Sequence, residues 1–575
     1  MEKRAKRLPN GVSDFTDVRT RDMYYVDKTE YLAKMEDAAD FIFFIRPRRF
    51  GKSLFISMMK AYYDKAMTDR FDELFGGLWI GSHPTEWRGK FQVLFLDFSY
   101  VGGNIDTLPE DFNAYCCGRI EDFINTYESE YPAETVRRVC ESKSARERLN
   151  IINNTAKRLS IPLYLIVDEY DNFTNVILNQ QGEEVYHAIT HADGFYRDIF
   201  KIFKGMFKRI FLTGVSPVTL DDLTSGFNIA SNISTDFRFN DMLGFTTSDV
   251  RAMVTYYKDA GLLPATRTAD DIVEEMRPWY DNYCFAKQSL AGENRVFNSD
   301  MVLYYLDKYI SSGEPPEDML DENTKTDYNK MSRLLQLDSL QGERKGLLRK
   351  ITEEGQIVSS IAKSFPASQL TDPDMFVSLL FYYGMLTIKE LRGLTPVLAI
   401  PNNNVRLQYY GYLLEQYKSV AHINKAALED AYYFMACDGS WQKALGYIGE
   451  AYDRLSSVRD SIEGERNLQG FFLAYLSLNP YYLTAPEVEV AHGYCDFFLM
   501  PDLRRYAVSH SYILELKYLP KKDFEARKDA QWAEAVEQIN GYAQAPRVLQ
   551  MTAGTELHKI IMQFEGWGLR RMEEV

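Results

Sequence analysis

The chain is poor in the residues that staple or metallate small proteins. Six cysteines (116, 117, 140, 284, 437 and 495) and seven histidines are scattered through 575 residues. The cysteines contain no Cys-x-x-Cys pair and the histidines no His-Glu-x-x-His pattern, which argues against the usual structural zinc spacings and against a zinc-protease helix. Sparse cysteine fits a reducing cytoplasm better than secretion. Long apolar runs are missing too. The longest, 375–386, contains Ser378 and Gly384 and falls well short of the roughly 20 residues that span a bilayer. The opening Met1-Glu-Lys-Arg lacks the apolar stretch of a signal peptide. These absences predict a cytoplasmic protein with no membrane partner. Positive charge is also scarce, 66 basic against 82 acidic residues for a net charge of −16. That excludes a protein coating nucleic acid by bulk electrostatics but leaves room for a local basic site.

What is present is the composition of a soluble globular protein, 46% hydrophobic and 26% charged, with 39 tyrosines and 35 phenylalanines that read as core material. At roughly 100–200 residues per domain the length predicts three or four domains. Over 1–245, short apolar runs at 41–45, 93–97, 163–167 and 210–213 alternate with helical stretches. Runs so short and so uniformly apolar read as strands buried on both faces, hence a parallel α/β sheet. Over 246–459 the pattern turns helical, clearest at 251–257 and 300–309, with a polar stretch at 311–327. The runs at 395–400 and 405–409 flank Pro401-Asn-Asn-Asn404 and read as a hairpin after helices, the order of a winged helix. Over 460–575 the order is helix, strands, helix, strand, a separate small α/β domain.

Arg46-Pro-Arg-Arg-Phe-Gly-Lys-Ser53 follows the apolar run 41–45 and precedes a helical stretch. A phosphate-binding loop needs backbone N–H groups at a helix start, a lysine for the β/γ-phosphates and a hydroxyl for Mg²⁺. Gly51, Lys52 and Ser53 supply these, and Arg46, Pro47, Arg48, Arg49 and Phe50 complete the candidate loop, with Arg46 where the first glycine usually stands. The run 163–167 ends in Asp168 and Glu169. Asp168 is the candidate Mg²⁺ carboxylate, with Ser53, and Glu169 the candidate for polarising the attacking water. Thr213 sits where a polar residue senses the γ-phosphate in additional-strand ATPases. Arg238 reads better as a surface arginine than as a charge sensor.

Together with Tyr25-Val-Asp-Lys-Thr29, Asp97-Phe-Ser99, Gly226-Phe-Asn-Ile-Ala230 and Arg238-Phe-Asn240, these segments resemble the bacterial AAA-ATPase-like family over about the first 240 residues. The resemblance accounts for Arg46, since the family's own loop begins with arginine. It implies ATP and Mg²⁺ as cofactors, a C-terminal nuclease fused to the ATPase, and a capacity for homo-oligomeric assembly. Trp279-Tyr-Asp-Asn-Tyr283 and Val296-Phe-Asn-Ser299 resemble two further family stretches, but Asp281-Asn282 replaces the usual Asn-Gly, and Ser299 the usual proline.

Near the C-terminus, 493–500 reads as a strand containing Asp496 and 512–517 as a strand ending Glu515-Leu-Lys517. Period-two alternation puts Glu515 and Lys517 on one face and the Leu516 side chain on the other. Two carboxylates and the Leu516 carbonyl suit a hard divalent ion, Mg²⁺ or Mn²⁺, and Lys517 suits positioning the nucleophile or neutralising charge in phosphodiester hydrolysis. Glu465, three residues before Leu468 and seven before Phe472, reads as an acid on the packed side of a helix. Gln538 lies beside an apolar stripe of Trp532, Val536 and Ile539. Lys517, Lys521, Lys522, Arg527 and Lys528 form a local basic cluster that can meet phosphates. The order Glu465, Asp496, Glu515-x-Lys517, Gln538 resembles the PD-(D/E)XK nuclease superfamily over 460–575, with Gln469 where that family often has histidine. The expectation is an ATP-binding and ATP-hydrolysing protein coupled to a metal-dependent nuclease acting on nucleic acid, with DNA the expected substrate. The alternative is a nucleotide-switched binding or signalling protein with an inert nuclease-like module.

Overall fold

The computed structural model describes residues 5–102, 106–172, 195–218, 230–290, 294–321, 343–366, 369, 372–418, 424–454, 464–490, 493–503 and 505–575. The chain divides into two compact units, Met1–Leu340 with Val358–Pro401, and Gln341–Ile357 with Asn402–Val575. The stretch 246–459, expected as one connector, is thus shared between them.

In the first unit the four apolar runs are strands of one parallel sheet: β1 (Phe41–Ile45), β2 (Gln92–Asp97), β3 (Leu163–Asp168) and β4 (Arg209–Gly214), joined by the short β5 (Ser231–Asn232). Their order is β2-β3-β4-β1-β5. Every residue of β3 and β4 is buried, which is why these strands read as continuous apolar runs rather than alternating ones. β4 stands between β1 and β3, so the strand feeding the phosphate-loop candidate and the strand ending in Asp168 are one strand apart. Ligands of open α/β sheets sit at the carboxyl ends of strands. That end gathers the loop after Ile45, Asp97 and Asp168, the last two directly paired in register. Helix α1 (Lys52–Tyr63) follows the loop.

The expected helices at 251–257 and 300–309 are Thr247–Asp259 and Ser299–Ser312. The first begins in a capping box of Thr246 and Asp249, which satisfies two otherwise orphaned N–H groups. The expected hairpin is displaced. Its strands are β6 (Thr387–Arg392) and β7 (Thr395–Ala399), antiparallel across Gly393-Leu394, while 405–409 lies in the helix Asn403–Lys418. Val405 and Tyr409 are buried and Leu407 is 39% exposed, the order of a helix face and the reverse of what the hairpin requires. Residues 322–327 of the polar stretch, and 226–229 of Gly226-Phe-Asn-Ile-Ala230, lie outside the described residues.

The second unit contains a five-stranded sheet, β8 (Tyr482–Val490), β9 (Gly493–Pro501), β10 (His510–Leu519), β11 (Glu556–Glu565) and β12 (Gly568–Glu574), in that order. Only β10 and β11 run parallel. Their crossover carries helix α3 (Lys521–Ala543), and α2 (Glu465–Leu476) precedes the sheet. Alternation sorts the residues onto two cores. Leu514, Leu516, Ile560 and Met562 pack with Leu468 and Phe472 of α2. Ile513, Phe498 and Ile561 pack with Trp532 and Ile539 of α3.

Candidate functional site

The loop leaves β1 with its first residue turned inward. Arg46 is 1% exposed. Its guanidinium donates to the carbonyl oxygens of Ile45 (3.0 Å), Ser234 (2.6 Å) and Phe239 (2.8 Å) and lies between the rings of Phe44 and Phe285. Burial pushes its pKa down to about 9, so it stays charged at neutral pH. The expectation that Arg46 touches the nucleotide is corrected. It is a clamp tying the start of the loop to the segment 234–240, because five fixed donors suit a cluster of carbonyls. Pro47 is likewise absent from the cavity wall, and its carbonyl accepts from the Lys52 ammonium (2.9 Å).

From Arg48 to Ser53 the loop lines a cavity of 680 Å³, together with Glu169 and Ser299. Arg49 (φ 67°) and Gly51 (φ 91°) adopt left-handed conformations, which turn the backbone into the start of α1. The Lys52 ammonium donates to the carbonyls of Arg46 (3.0 Å) and Pro47, and burial lowers its pKa against the pull of Asp168 and Glu169. The Ser53 hydroxyl donates to Asp168 (2.8 Å). Burial pushes the Asp168 carboxyl up to about 6, against the pull of Lys52. Glu169 follows at φ 48°, a costly backbone for a non-glycine residue of the kind that collects at functional sites. A lysine, a hydroxyl bonded to a buried carboxylate, and a twelve-residue helix opening on the same cavity fit a nucleotide phosphate chain with a divalent ion.

Thr213 is corrected as well. Its hydroxyl donates to the Phe44 carbonyl at 2.6 Å and is buried between β4 and β1, so it is committed to the sheet rather than to a γ-phosphate. Arg238 is exposed and paired with Asp236, in keeping with the surface reading. The two departing family stretches brace the loop. The Ser299 hydroxyl and the Asp300 N–H both donate to the Arg49 carbonyl, and the Arg49 guanidinium donates to Asp300 and Asp321. Tyr283 meets the Phe50 ring edge-on at 4.9 Å. Asn282 stands at φ 79°, a left-handed position that glycine and then asparagine fill most readily.

In the second unit the β9/β10 register pairs Phe497 with Leu514, and one more step puts Asp496 opposite Glu515. One Asp496 oxygen accepts from the Leu516 N–H (2.7 Å) and the other from the Gln469 side chain (2.8 Å). In a strand a residue's N–H and C=O point to the same edge, so the Leu516 carbonyl faces Asp496 too. Lys517 donates to Glu515 Oε1 (2.8 Å) and to Gln538 (2.9 Å). Burial raises the pKa of Asp496, with the charge of Glu515 adding to it, and burial raises that of Glu515 against the pull of Lys517. Among the described residues, the buried Glu515 Oε2 has no hydrogen-bond partner. A buried carboxylate with an orphaned oxygen, a half-buried one opposite it in register and an ammonium bonded to the first fit a divalent cation.

Glu465 is corrected in its setting. It is exposed, as the first residue of α2, while its charge still acts on Glu515 and Lys517. Gln469 is the residue that sequence reasoning passed over as a site member. Its signal was its place one turn beyond Glu465 on α2. Lys521, Lys522 and Arg527 are exposed at the start of α3, and Lys528 pairs with Glu525.

Residues 9–224 match the family described as "Predicted AAA-ATPase", and residues 463–574 match the PD-(D/E)XK nuclease superfamily. The two matches agree with the expected architecture, an AAA-ATPase-like segment followed by a PD-(D/E)XK nuclease-like segment. An uncharacterized protein from the vnfD 5′ region of Azotobacter chroococcum mcd 1 is 28% identical over 283 residues, 48% of each chain. The chain thus spans about half the length of that curated relative. The solved ORC2 protein of Aeropyrum pernix, in ADPNP–ADP complexes, aligns at 12% identity and a TM-score of 0.24 over 67% of this chain and 92% of that one. Among the described residues, no helix is long and apolar enough to cross a membrane.

Proposed function

We propose that the protein binds and hydrolyses ATP in its first unit and cleaves phosphodiester bonds, in DNA, in its second. The observation that carries the nuclease reading is the buried Glu515 Oε2, unpartnered among the described residues, on the carboxylate that Lys517 bonds. Asp496, Glu515 and the Leu516 carbonyl are the groups that would hold Mg²⁺ or Mn²⁺, which when bound supplies a water nucleophile at neutral pH and charge neutralisation. Lys517, steered by Gln538, carries positive charge to the position where a phosphate would sit. Gln469 fixes the Asp496 carboxylate, and Glu465 at the mouth adds a further acid. In the first unit, Lys52, now held by the Arg46 and Pro47 carbonyls, would turn to the phosphates, Ser53 and Asp168 are the groups that would hold the ion, and Glu169 would orient water.

One observation favours the inert-module alternative. Both Asp496 oxygens already have protein donors, so this carboxylate is satisfied without an ion. A cleavage assay separates the readings. Wild type, Glu515→Gln and Lys52→Ala are incubated with single- and double-stranded DNA and RNA, with Mg²⁺ or Mn²⁺, with and without ATP. The nuclease reading requires divalent-ion-dependent cleavage that falls at least about a hundredfold in Glu515→Gln. Wild type inactive on every substrate leaves the nucleotide-switched binder.

A further inference from the structure

The histidines, unremarkable in sequence spacing, converge in the sheet. His510 opens β10, and the parallel register pairs it with Glu556 at the start of β11 and pairs Tyr512 with His558. His510 Nδ1 and His558 Nε2 lie 2.9 Å apart, and a Glu556 oxygen lies 3.5 Å from His510 Nδ1. One ligand atom from each residue falls within 4.8 Å of the others. Zinc–ligand bonds of about 2.0–2.1 Å put tetrahedral ligand atoms about 3.3 Å apart. Both separations made by His510, 2.9 and 3.5 Å, lie within a few tenths of an ångström of that spacing, and the exposed Glu556 side chain has the freedom to close the remaining one, which is within 4.8 Å.

We infer that His510, His558 and Glu556 form a second divalent-ion site, selective for the zinc class over Mg²⁺ and separate from the Asp496–Glu515 site. Three features point the same way. His558 Nδ1 is 2.6 Å from Glu574, and Glu574 also accepts from the Trp441 indole N–H (3.1 Å). A carboxylate on Nδ1 fixes the proton there and leaves Nε2 its lone pair, aimed at His510, which is the outer support that metal-binding histidines regularly have. Both rings are held in place. Tyr512 stacks on His558 (4.9 Å, 17°), and Gly439 packs so closely over His510 that a Cβ there would meet the ring at 3.0 Å. Neutral His510 needs only to move its proton from Nδ1 to Nε2 for the two lone pairs to converge. Glu556 is mostly exposed, so it closes the site from the solvent side.

The site does not overlap the nuclease candidate. His510 shares the α2-facing side of β10 with Tyr512, Leu514 and Leu516, and Glu515 lies five residues further along on the α3-facing side. Five residues of strand span about 17 Å. Two imidazoles and one carboxylate favour zinc-class ions, whereas the all-oxygen set at Asp496 and Glu515 favours Mg²⁺ or Mn²⁺. The bound ion bridges the starts of two adjacent strands, under Gly439.

The test uses the full chain carrying Asp496→Asn and Glu515→Gln, which removes the nuclease candidate's ion site, and is run without nucleotide. Zn²⁺ is titrated by calorimetry against a competing chelator, and Co²⁺ is followed by its tetrahedral d–d absorption. The expected result is one Zn²⁺ per chain with tetrahedral Co²⁺ bands, undiminished by excess Mg²⁺. Affinity should fall at least tenfold in His558→Gln and in Glu556→Gln, and 10–100-fold in Glu574→Gln. Glu556 is a surface residue, so that variant keeps the fold even if the His558 variant does not. Absence of stoichiometric Zn²⁺ binding, or binding indifferent to the Glu556 and His558 changes, overturns the site.

Discussion

The Ser53 hydroxyl donates to the Asp168 carboxylate at 2.8 Å across 115 residues of sequence. This bond joins the first turn of α1 to the carboxyl end of β3, past the intervening β4. It presents two oxygen ligands side by side, as a hard ion bridging to phosphate requires. Ser53→Ala is expected to keep the fold and the Mg²⁺-independent part of ATP binding while losing the enhancement by Mg²⁺, with ATP turnover falling about a hundredfold or more. Ser53→Thr should retain most of both. Nucleotide titrations with Mg²⁺ and with EDTA check this. An alanine variant that responds to Mg²⁺ like wild type removes the hydroxyl from the ion site.

Asp168 gives a stability signature of its own. Its carboxyl is raised from 3.8 to about 6 by burial, so the charged form is disfavoured in the folded chain. The stabilisation by the protonated carboxyl is complete below about pH 4 and is lost as pH rises through 6. A shift of about two units is worth about 3 kcal/mol. Asp168→Asn should therefore gain on wild type by about that amount between pH 4 and pH 7, in urea unfolding without nucleotide. A difference between the two proteins that stays flat over that range counts against a costly buried charge.

Arg46 separates a structural arginine from a phosphate-binding one. Its guanidinium bonds several carbonyls between two aromatic rings, so truncation leaves buried acceptors without donors at roughly 1–3 kcal/mol each. Arg46→Ala is expected to cost more than about 3 kcal/mol. Arg46→Lys should recover little, since an ammonium lacks the planar fork. Urea midpoints measure the loss. A lysine variant of full stability but weakened ATP affinity would return Arg46 to the nucleotide.

The parts legible in the sequence were those whose chemistry is local. Gly51-Lys52-Ser53, the Asp168-Glu169 strand end and Glu515-x-Lys517 each need particular residues at fixed short spacing, and each lies on the element expected of it. The errors come from contacts that sequence does not display. Arg46 in a basic loop reads as a phosphate ligand until the carbonyls of Ser234 and Phe239 close over it. Glu465 has the spacing of a packed position, but it is the first residue of its helix, where no preceding turn covers it. The run 405–409 is rich in strand-forming side chains. Only burial shows that Val405 and Tyr409 share a helical face from which Leu407 is excluded. The His510–His558 pair was invisible because 48 residues separate two side chains that the β10/β11 register brings together.

The Asp496–Glu515 pair predicts how pH and metal compete. Burial raises both carboxyls, and each charge opposes the other, with Lys517 as the compensating cation at Glu515. Protons therefore remain on the pair above the ordinary carboxylate range, and a divalent ion must displace them to bind. Without metal, this raised pair contributes stability at low pH that is lost as pH rises, and Asp496→Asn should remove part of that loss. With metal, cleavage at limiting Mg²⁺ is expected to climb with pH beyond the ordinary carboxylate range, and the rise should move to lower pH as Mg²⁺ is increased. Lys517→Met removes the ammonium that favours the charged Glu515, so its profile should shift to higher pH, on top of any loss of maximal rate. Rate–pH profiles at several Mg²⁺ concentrations measure both shifts. A midpoint that stays fixed while Mg²⁺ changes would mean that the titrating group is not an ion ligand and would detach Asp496 and Glu515 from the metal.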